Sequence, residues 1–442
     1  MRFSARELAE ALDAQSPARL FGQDSVVDGV SFDSRDVVPG QLFVPIVAER
    51  DGHEFVANAV ERGAVAYLTS RGPIAGIAAT GIEVVDTAAA LIDAARWART
   101  RFPAGTMAVG ITGSVGKTST KDLVAAALAG ERRVTASQKS FNNEQGLPVT
   151  ILNAPIDTEV LVLEMGMRGF GQIEYLCRIG RPAIGVVTRV GEAHTSMVGG
   201  IDGVARAKGE LVEALPSFGV AVLNADDTRV IAMRSRTSAR VISYGEHDSA
   251  DVRISELRLD EFGRPRFRVD TPMGGAELSL PVAGRHMASN AAAAVAVGVA
   301  LGVSLESMVA GLAVVRIADH RMAEVSTPRG ATILDDCYNA NPTSMEAALE
   351  TLAAMSAPRK TAILGLMAEL DDPTRSHAEI VAVARALGIR LVAVGTDLYG
   401  VDPISIDDAR SVVGEMDSDD AVLVKASRVA GLERILDSIN PR

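Results

Sequence analysis

The chain has 442 residues, 48% of them hydrophobic and 23% charged, and its 44 Lys and Arg against 56 Asp and Glu leave a formal charge of −12. At roughly 150 residues per domain this predicts two or three domains, each with enough chain to bury its own core. The acidic surplus and the lack of any Lys/Arg-rich block exclude a general binder of nucleic acid or anionic membrane. The longest nearly uncharged stretch, Ala291 to Leu305, is too short and too rich in alanine to span a bilayer.

The start, Met1-Arg2-Phe3-Ser4-Ala5-Arg6-Glu7, has no apolar signal core; Ser4 stands three residues before Glu7, as in a helix capping box. A cytoplasmic protein is expected. Cys177 and Cys337 are too few for a disulfide framework or, unaided, a structural zinc site, and read as reduced, packed thiols.

From Asp28 to Ser70 short apolar runs such as Leu42-Phe43-Val44 and Ala64 to Leu68 alternate with turn residues, which predicts a small α/β unit. A helix over Thr87 to Thr100 then meets Phe102-Pro103-Ala104-Gly105, where the first domain boundary is drawn. Beyond it lie Met107 to Thr112, Val160 to Leu163, Ile184 to Thr188 and Val220 to Leu223, apolar without alternation, as strands buried on both faces of a parallel sheet are. Helical patterns between them predict a doubly wound sheet, which binds ligands at the carboxyl ends of its strands. Between Asp251 and Val282 the period changes to two, with turns at Phe262-Gly263-Arg264 and Met273-Gly274-Gly275, predicting an antiparallel insertion. After a boundary near Ala318, strands at Thr332 to Leu334, Thr361 to Leu364, Leu391 to Val394 and Ala421 to Val424 alternate with helices, predicting a Rossmann-like α/β domain. The expected domains are 1–103, 104–317 and 318–442.

The strongest local signal is Gly110-Ile111-Thr112-Gly113-Ser114-Val115-Gly116-Lys117-Thr118-Ser119, which follows a strand and opens a helix. A strand turning through glycines into a helix leaves backbone N–H groups converging on one spot, where a phosphate is cradled at the positive end of the helix dipole. Lys117 is placed to reach the β- and γ-phosphates and Thr118 to ligate Mg²⁺. The strict G-x4-G-K-[ST] form is absent, since Ile111 stands where its first glycine belongs; the form here is G-x2-G-x2-G-K-T.

That loop resembles the one in the Mur ligases, and the resemblance extends in order over essentially the whole chain. It includes Asp33-Ser34-Arg35, Asn142-Asn143-Glu144-Gln145-Gly146, Glu164-Met165-Gly166, Gly191-Glu192-Ala193-His194, Ala207-Lys208-Gly209-Glu210, Gly284-Arg285-His286 with Asn290, Asp336 with Tyr338-Asn339-Ala340-Asn341-Pro342, and Lys425-Ala426-Ser427-Arg428. The resemblance implies ATP-dependent amide-bond formation. The γ-phosphoryl group passes to a substrate carboxylate, and an incoming amine displaces phosphate from the acyl phosphate. Two anions must meet, so cations are required, Lys117 and Mg²⁺.

The resemblance further implies roles for single residues. Thr112, Gly113, Ser114, Val115, Gly116, Lys117, Thr118 and Ser119 form the phosphate loop, Asn290 serves the adenine, and Arg321 and Asp336 serve the ribose and phosphates. Glu164 and His194 join Thr118 as metal ligands, the first a hard oxygen donor at a strand end. Lys208 reads, by itself, as a solvated helix-face charge within Val204 to Leu215. The family's lysine here is carbamylated, which turns a cation into an anionic oxygen donor. Where the family often has Lys-Ala-Lys, this chain has Arg206-Ala207-Lys208, leaving one candidate. Ser34, Arg35, Asn142 and Asn143 are implied to contact the nucleotide-sugar substrate.

Within the family the match is to the branch that adds D-alanyl-D-alanine to UDP-N-acetylmuramoyl-tripeptide, giving the expected substrates of a monomer that binds neither nucleic acid nor membrane. Met287, Leu366, Asp371 and Ala426 depart from that branch's pattern and bear on selectivity for the dipeptide. The alternatives are the same chemistry with another amine or acceptor, and a nucleotide-binding switch without catalysis.

Overall fold

The structure is a computed structural model that describes residues 1–138, 141–191, 195–437 and 439. It is a mixed α/β chain built on mainly parallel sheets. Two compact units are formed, one by Met1–Gly110, Arg132–Gly166 and Gln172–Ile184, the other by Ile111–Glu131, Met167–Gly171 and Gly185–Arg442. The line between them runs through the strand Met107–Thr112, after Gly110.

In the first unit the helix Ala5–Asp13 starts on the expected capping box: Glu7 N–H donates to Ser4 Oγ at 3.0 Å, and Ser4 N–H donates to Glu7 Oε2 at 2.7 Å. A five-stranded sheet follows in the order Ala18–Phe21, Thr80–Val84, Ala66–Thr69, Leu42–Phe43, Val30–Ser31, antiparallel only at its first pair. Phe43, Val56, Ala59 and Tyr67 fill one face. The strand Val160–Glu164 is buried throughout and pairs in parallel with Val134–Ala136. The helix Gly146–Asn153 ends on a side chain that donates to Val30 O at 3.0 Å and accepts from Val30 N–H at 2.6 Å, tying it to the edge of the five-stranded sheet.

In the second unit the strands Val220–Asn224 and Arg240–Gly245 run parallel. The period-two segment forms Val252–Leu259, Pro265–Thr271 and Gly274–Ser279, paired antiparallel as the alternation required. The helix Lys117–Leu128, which opens from the phosphate loop, packs against His286–Leu301 and Leu305–Ala313. A second five-stranded sheet has the order Ala323–Ser326, Thr332–Asp336, Asp420–Lys425, Arg359–Leu364, Arg390–Ala393, parallel except at its first pair. Ile333, Ile363, Val422 and Val424 lie in its core.

One element differs from expectation. The helical segment Val204 to Leu215 is broken at Gly209 into Ile201–Lys208 and Glu210–Glu213. Arg236 donates to the carbonyls of Ala205 (3.3 Å) and Arg206 (2.8 Å), capturing acceptors at the end of the first piece. A Cβ at position 209 would lie 1.9 Å from that guanidinium, so a larger residue would displace the Arg236 side chain. Lys208 is therefore the last residue of a helix. Among the described residues no helix is long and apolar enough to cross a membrane.

Candidate active site

The strand Met107–Thr112 delivers the loop, and two glycines shape it. Gly113 has φ +156° and Gly116 φ +84°; a Cβ would lie 1.8 Å from Thr188 Oγ1 at the first and 2.8 Å from Asn290 Oδ1 at the second. These backbone conformations and close approaches leave a concave run of N–H groups at the start of the helix Lys117–Leu128. The segment after the strand Ile184–Val187 holds the loop in shape. Thr188 Oγ1 donates to Val115 O (2.6 Å), Ser114 N–H donates to Arg189 O (2.7 Å), and Ser114 Oγ donates to Gly191 O and accepts from Gly191 N–H, both at 3.0 Å. Lys117 Nζ donates to Gly113 O at 2.9 Å.

Around this loop the second unit gathers several of the expected residues. Asn290 is buried, with its amide against Gly116 of the phosphate loop. Lys208 is 3% exposed, and burial, aided by the charge of Lys117, holds its ammonium well below the usual lysine range. That shift favours the neutral amine, the form that adds to carbon dioxide. Arg321 Nη2 donates to Thr118 Oγ1 at 3.2 Å. The guanidinium of Arg321 lies 4.1 Å from the centre of the Tyr338 ring, and that of Arg428 lies 5.5 Å from the same ring. Asp336 pairs with the buried ammonium of Lys425, which also donates to Asn339 O at 2.9 Å. Sequence reasoning gave Lys425 and Tyr338 no role, although both stand in motifs it singled out. Thr112 Oγ1 and Arg321 Nε are buried and lack a hydrogen-bond partner, as polar atoms do where a ligand is to supply one. A cavity of about 530 Å³ opens beside Arg189 and Gly191, lined also by Asp226, Thr343, Glu346 and Glu379.

The first unit holds the remaining described positions. Glu164 is 1% exposed at the end of its strand, its Oε1 accepting from Asn142 Nδ2 at 2.8 Å. Asn143 Oδ1 instead accepts from Gly146 N–H at 2.9 Å, capping the helix Gly146–Asn153. Ser34 is buried, whereas Arg35 is exposed and paired to Asp33 at 2.6 Å. His194 lies outside the described residues. Among those described, no three His, Cys, Asp or Glu side chains form a metal cage. In the second unit the buried Thr118 hydroxyl, a hard oxygen donor, stands at the glycine cradle, a pairing that fits a nucleotide-borne Mg²⁺; in the first unit the buried Glu164 carboxylate is by itself a donor of the same hard class.

Residues 111–298 match the Mur ligase middle domain, and residues 320–440 match the Mur ligase, glutamate ligase domain. The UDP-N-acetylmuramoyl-tripeptide–D-alanyl-D-alanine ligase of Mycobacterium tuberculosis is 38% identical, the match covering 94% of this chain and 92% of that one. The chain belongs to the Mur ligase family, in its MurF group. The crystal structure of MurF from Acinetobacter baumannii superimposes on this Mur ligase with a TM-score of 0.86 at 28% identity, covering 100% of this chain and 99% of that one. For MurF from Thermotoga maritima, solved in complex with ADP, the TM-score is 0.80 at 26% identity, with 93% and 97% covered. The shared architecture is the three-domain Mur ligase fold.

Proposed function

We propose that this Mur ligase joins D-alanyl-D-alanine to UDP-N-acetylmuramoyl-tripeptide at the expense of ATP, in the cytoplasmic stage of peptidoglycan synthesis. The observation that carries the reading is likeness to MurF enzymes over nearly the full length, together with a phosphate loop whose shape depends on Gly113 and Gly116. In the reaction the terminal carboxylate of the tripeptide attacks the γ-phosphorus of ATP, and ADP leaves. The amine of the dipeptide then attacks the acyl carbon, loses a proton, and expels phosphate.

The chain's residues supply binding, orientation and charge. Backbone N–H groups of 115–118 cradle the phosphates, and the Lys117 ammonium offsets the repulsion between carboxylate and triphosphate. Thr118 and Glu164 are suited to hold Mg²⁺, with His194 and a carbamate on Lys208 completing the donors. The metal supplies positive charge at the phosphoryl oxygens. Arg321 and Asp336 serve the nucleotide from the 318–442 domain, and Asn290 lies against the loop. Ser34 and Arg35 of the 1–103 domain, with Asn142 and Asn143 of the 104–317 ATP-binding domain, serve the nucleotide-sugar.

The test supplies UDP-N-acetylmuramoyl-tripeptide and ATP with a panel of amines, reading phosphate and product mass together. Phosphate release coupled to a D-alanyl-D-alanine adduct is expected. Coupled release with a different amine overturns the dipeptide assignment, and nucleotide binding without coupled turnover overturns the ligase.

A further inference from the structure

Arg321 is held in an unusual piece of backbone. His320 and Met322, on either side of it, both sit at positive φ, +60° and +54°, a conformation that residues with a Cβ rarely adopt without support. The support is explicit. Ala318 N–H donates to Asp122 Oδ2 at 3.0 Å, and Arg321 donates to Thr118, one turn earlier on the same face of the helix Lys117–Leu128. His320 Nδ1 meets Asp335 Oδ2 at 2.7 Å, and His320 O accepts from Tyr338 N–H at 3.3 Å. The segment 318–322 is thus a strap, pinned at one side to the phosphate-loop helix and at the other to the end of the strand Thr332–Asp336.

The Arg321 side chain itself is held at Thr118 by a single hydrogen bond of 3.2 Å, and a second contact steadies it. An arginine side chain has several rotamers to lose, and its guanidinium favours the face of an aromatic ring, where the quadrupole is negative. Tyr338 provides that face at 4.1 Å, and Arg428 approaches the same ring at 5.5 Å. Two cations sharing one ring repel each other, and an anion arriving at Thr118 relieves that repulsion.

We propose that Tyr338 is a positioning residue: its ring carries the Arg321 guanidinium within the kinked 318–322 strap and presents it at Thr118 of the phosphate loop, so that nucleotide affinity depends on the ring. This rests on the nucleotide role given to Arg321 above. The hydroxyl of Tyr338 has no part in it.

The experiment measures ADP binding by calorimetry in the full-length protein, with thermal unfolding as a control for folding. Tyr338→Leu is expected to weaken ADP binding about 3- to 10-fold, the range of a partly desolvated cation–π contact, with Tyr338→Met as a second ring-free variant. Tyr338→Phe, which keeps the ring, should bind within about twofold of the parent. In turnover, the KM for ATP should rise while the KM for the nucleotide-sugar stays in place. The double variant Arg321→Ala/Tyr338→Leu should bind ADP no more weakly than Arg321→Ala alone, because the ring acts through the guanidinium. Additive losses in the double variant, or parental affinity in both ring-free variants, overturn the role of Tyr338. Parental ADP affinity in Arg321→Ala instead overturns the nucleotide role of Arg321 itself, so the two failures are told apart.

Discussion

Lys425 and Asp336 end neighbouring parallel strands in register, and the ammonium of the one is buried against the carboxylate of the other. Breaking such a pair strands the remaining charge in a low-dielectric interior, at a cost of about 3–5 kcal/mol. Lys425→Met should lower the unfolding free energy by that amount in chemical denaturation. Adding Asp336→Asn should recover part of the loss, since no carboxylate is then left unpaired. A Lys425→Met protein as stable as the parent contradicts this account.

Lys208 yields a pH prediction. Its folded-state pKa lies well below the unfolded value, by burial first and by the charge of Lys117 second. Below the unfolded pKa the unfolded chain therefore binds a proton that the folded amine refuses. Stability is lost as pH falls from the ordinary lysine range towards the folded pKa and regained as pH rises. In carbonate-free buffer Lys208→Met should abolish that slope and leave the protein at least as stable as the parent. Ligase activity should fall in both Lys208→Met and Lys208→Ala, and a short carboxylate should restore part of it in the alanine variant. Full activity in the bare variants excludes a carbamate role.

His286 titrates in a lower window. Burial pushes its pKa down to about 4, with Asp336 opposing the shift and Lys425 and Arg189 adding to it. The unfolded imidazole protonates near pH 6.5 while the folded one stays neutral, so stability should decline as pH drops from about 6.5 to about 4. His286→Gln should flatten that part of the stability profile. An unchanged profile means that other groups dominate it.

Gly116→Ala tests the cradle. The left-handed backbone alone costs an L-residue about 1–2 kcal/mol, and the added Cβ meets the Asn290 amide. A lowered melting temperature and weakened ADP binding are expected together. Retention of parental ADP affinity rules out close backbone approach as the basis of phosphate binding.

Asn142 places a donor on Glu164, one of the oxygens proposed for Mg²⁺. Outer-shell partners of this kind are worth about 10–100-fold in metal affinity. Asn142→Ala should raise the Mg²⁺ concentration for half-maximal turnover by about tenfold. Asn142→Asp should also change it, by adding a second negative charge next to the carboxylate. An unchanged requirement in both separates Asn142 from the metal and leaves it to the nucleotide-sugar.

Several features of this protein follow from its sequence alone, because they are local. The runs Met107 to Thr112 and Val160 to Leu163 lack alternation, and strands so patterned must be covered on both faces. The period-two segment after Asp251 carries the signal of the antiparallel pairs its three strands form with one another, and Ser4 with Glu7 closes its own capping box. The phosphate loop is likewise contiguous, which is why its glycines, Lys117 and Thr118 could be named at once. Tertiary structure decided whatever depends on partners distant in sequence. Gly209 breaks a helix because Arg236, from another element, captures the carbonyls before it. Asn143 caps a helix while its neighbour Asn142 turns to Glu164. Lys208 changes from a surface charge into a buried amine only through what packs over it, and Arg321, Tyr338 and Arg428 become one stack only when the strap and two strand ends converge. Periodicity reports which face of an element is apolar; burial of a charge, and hence its pKa and its chemistry, is set by neighbours that no local pattern contains.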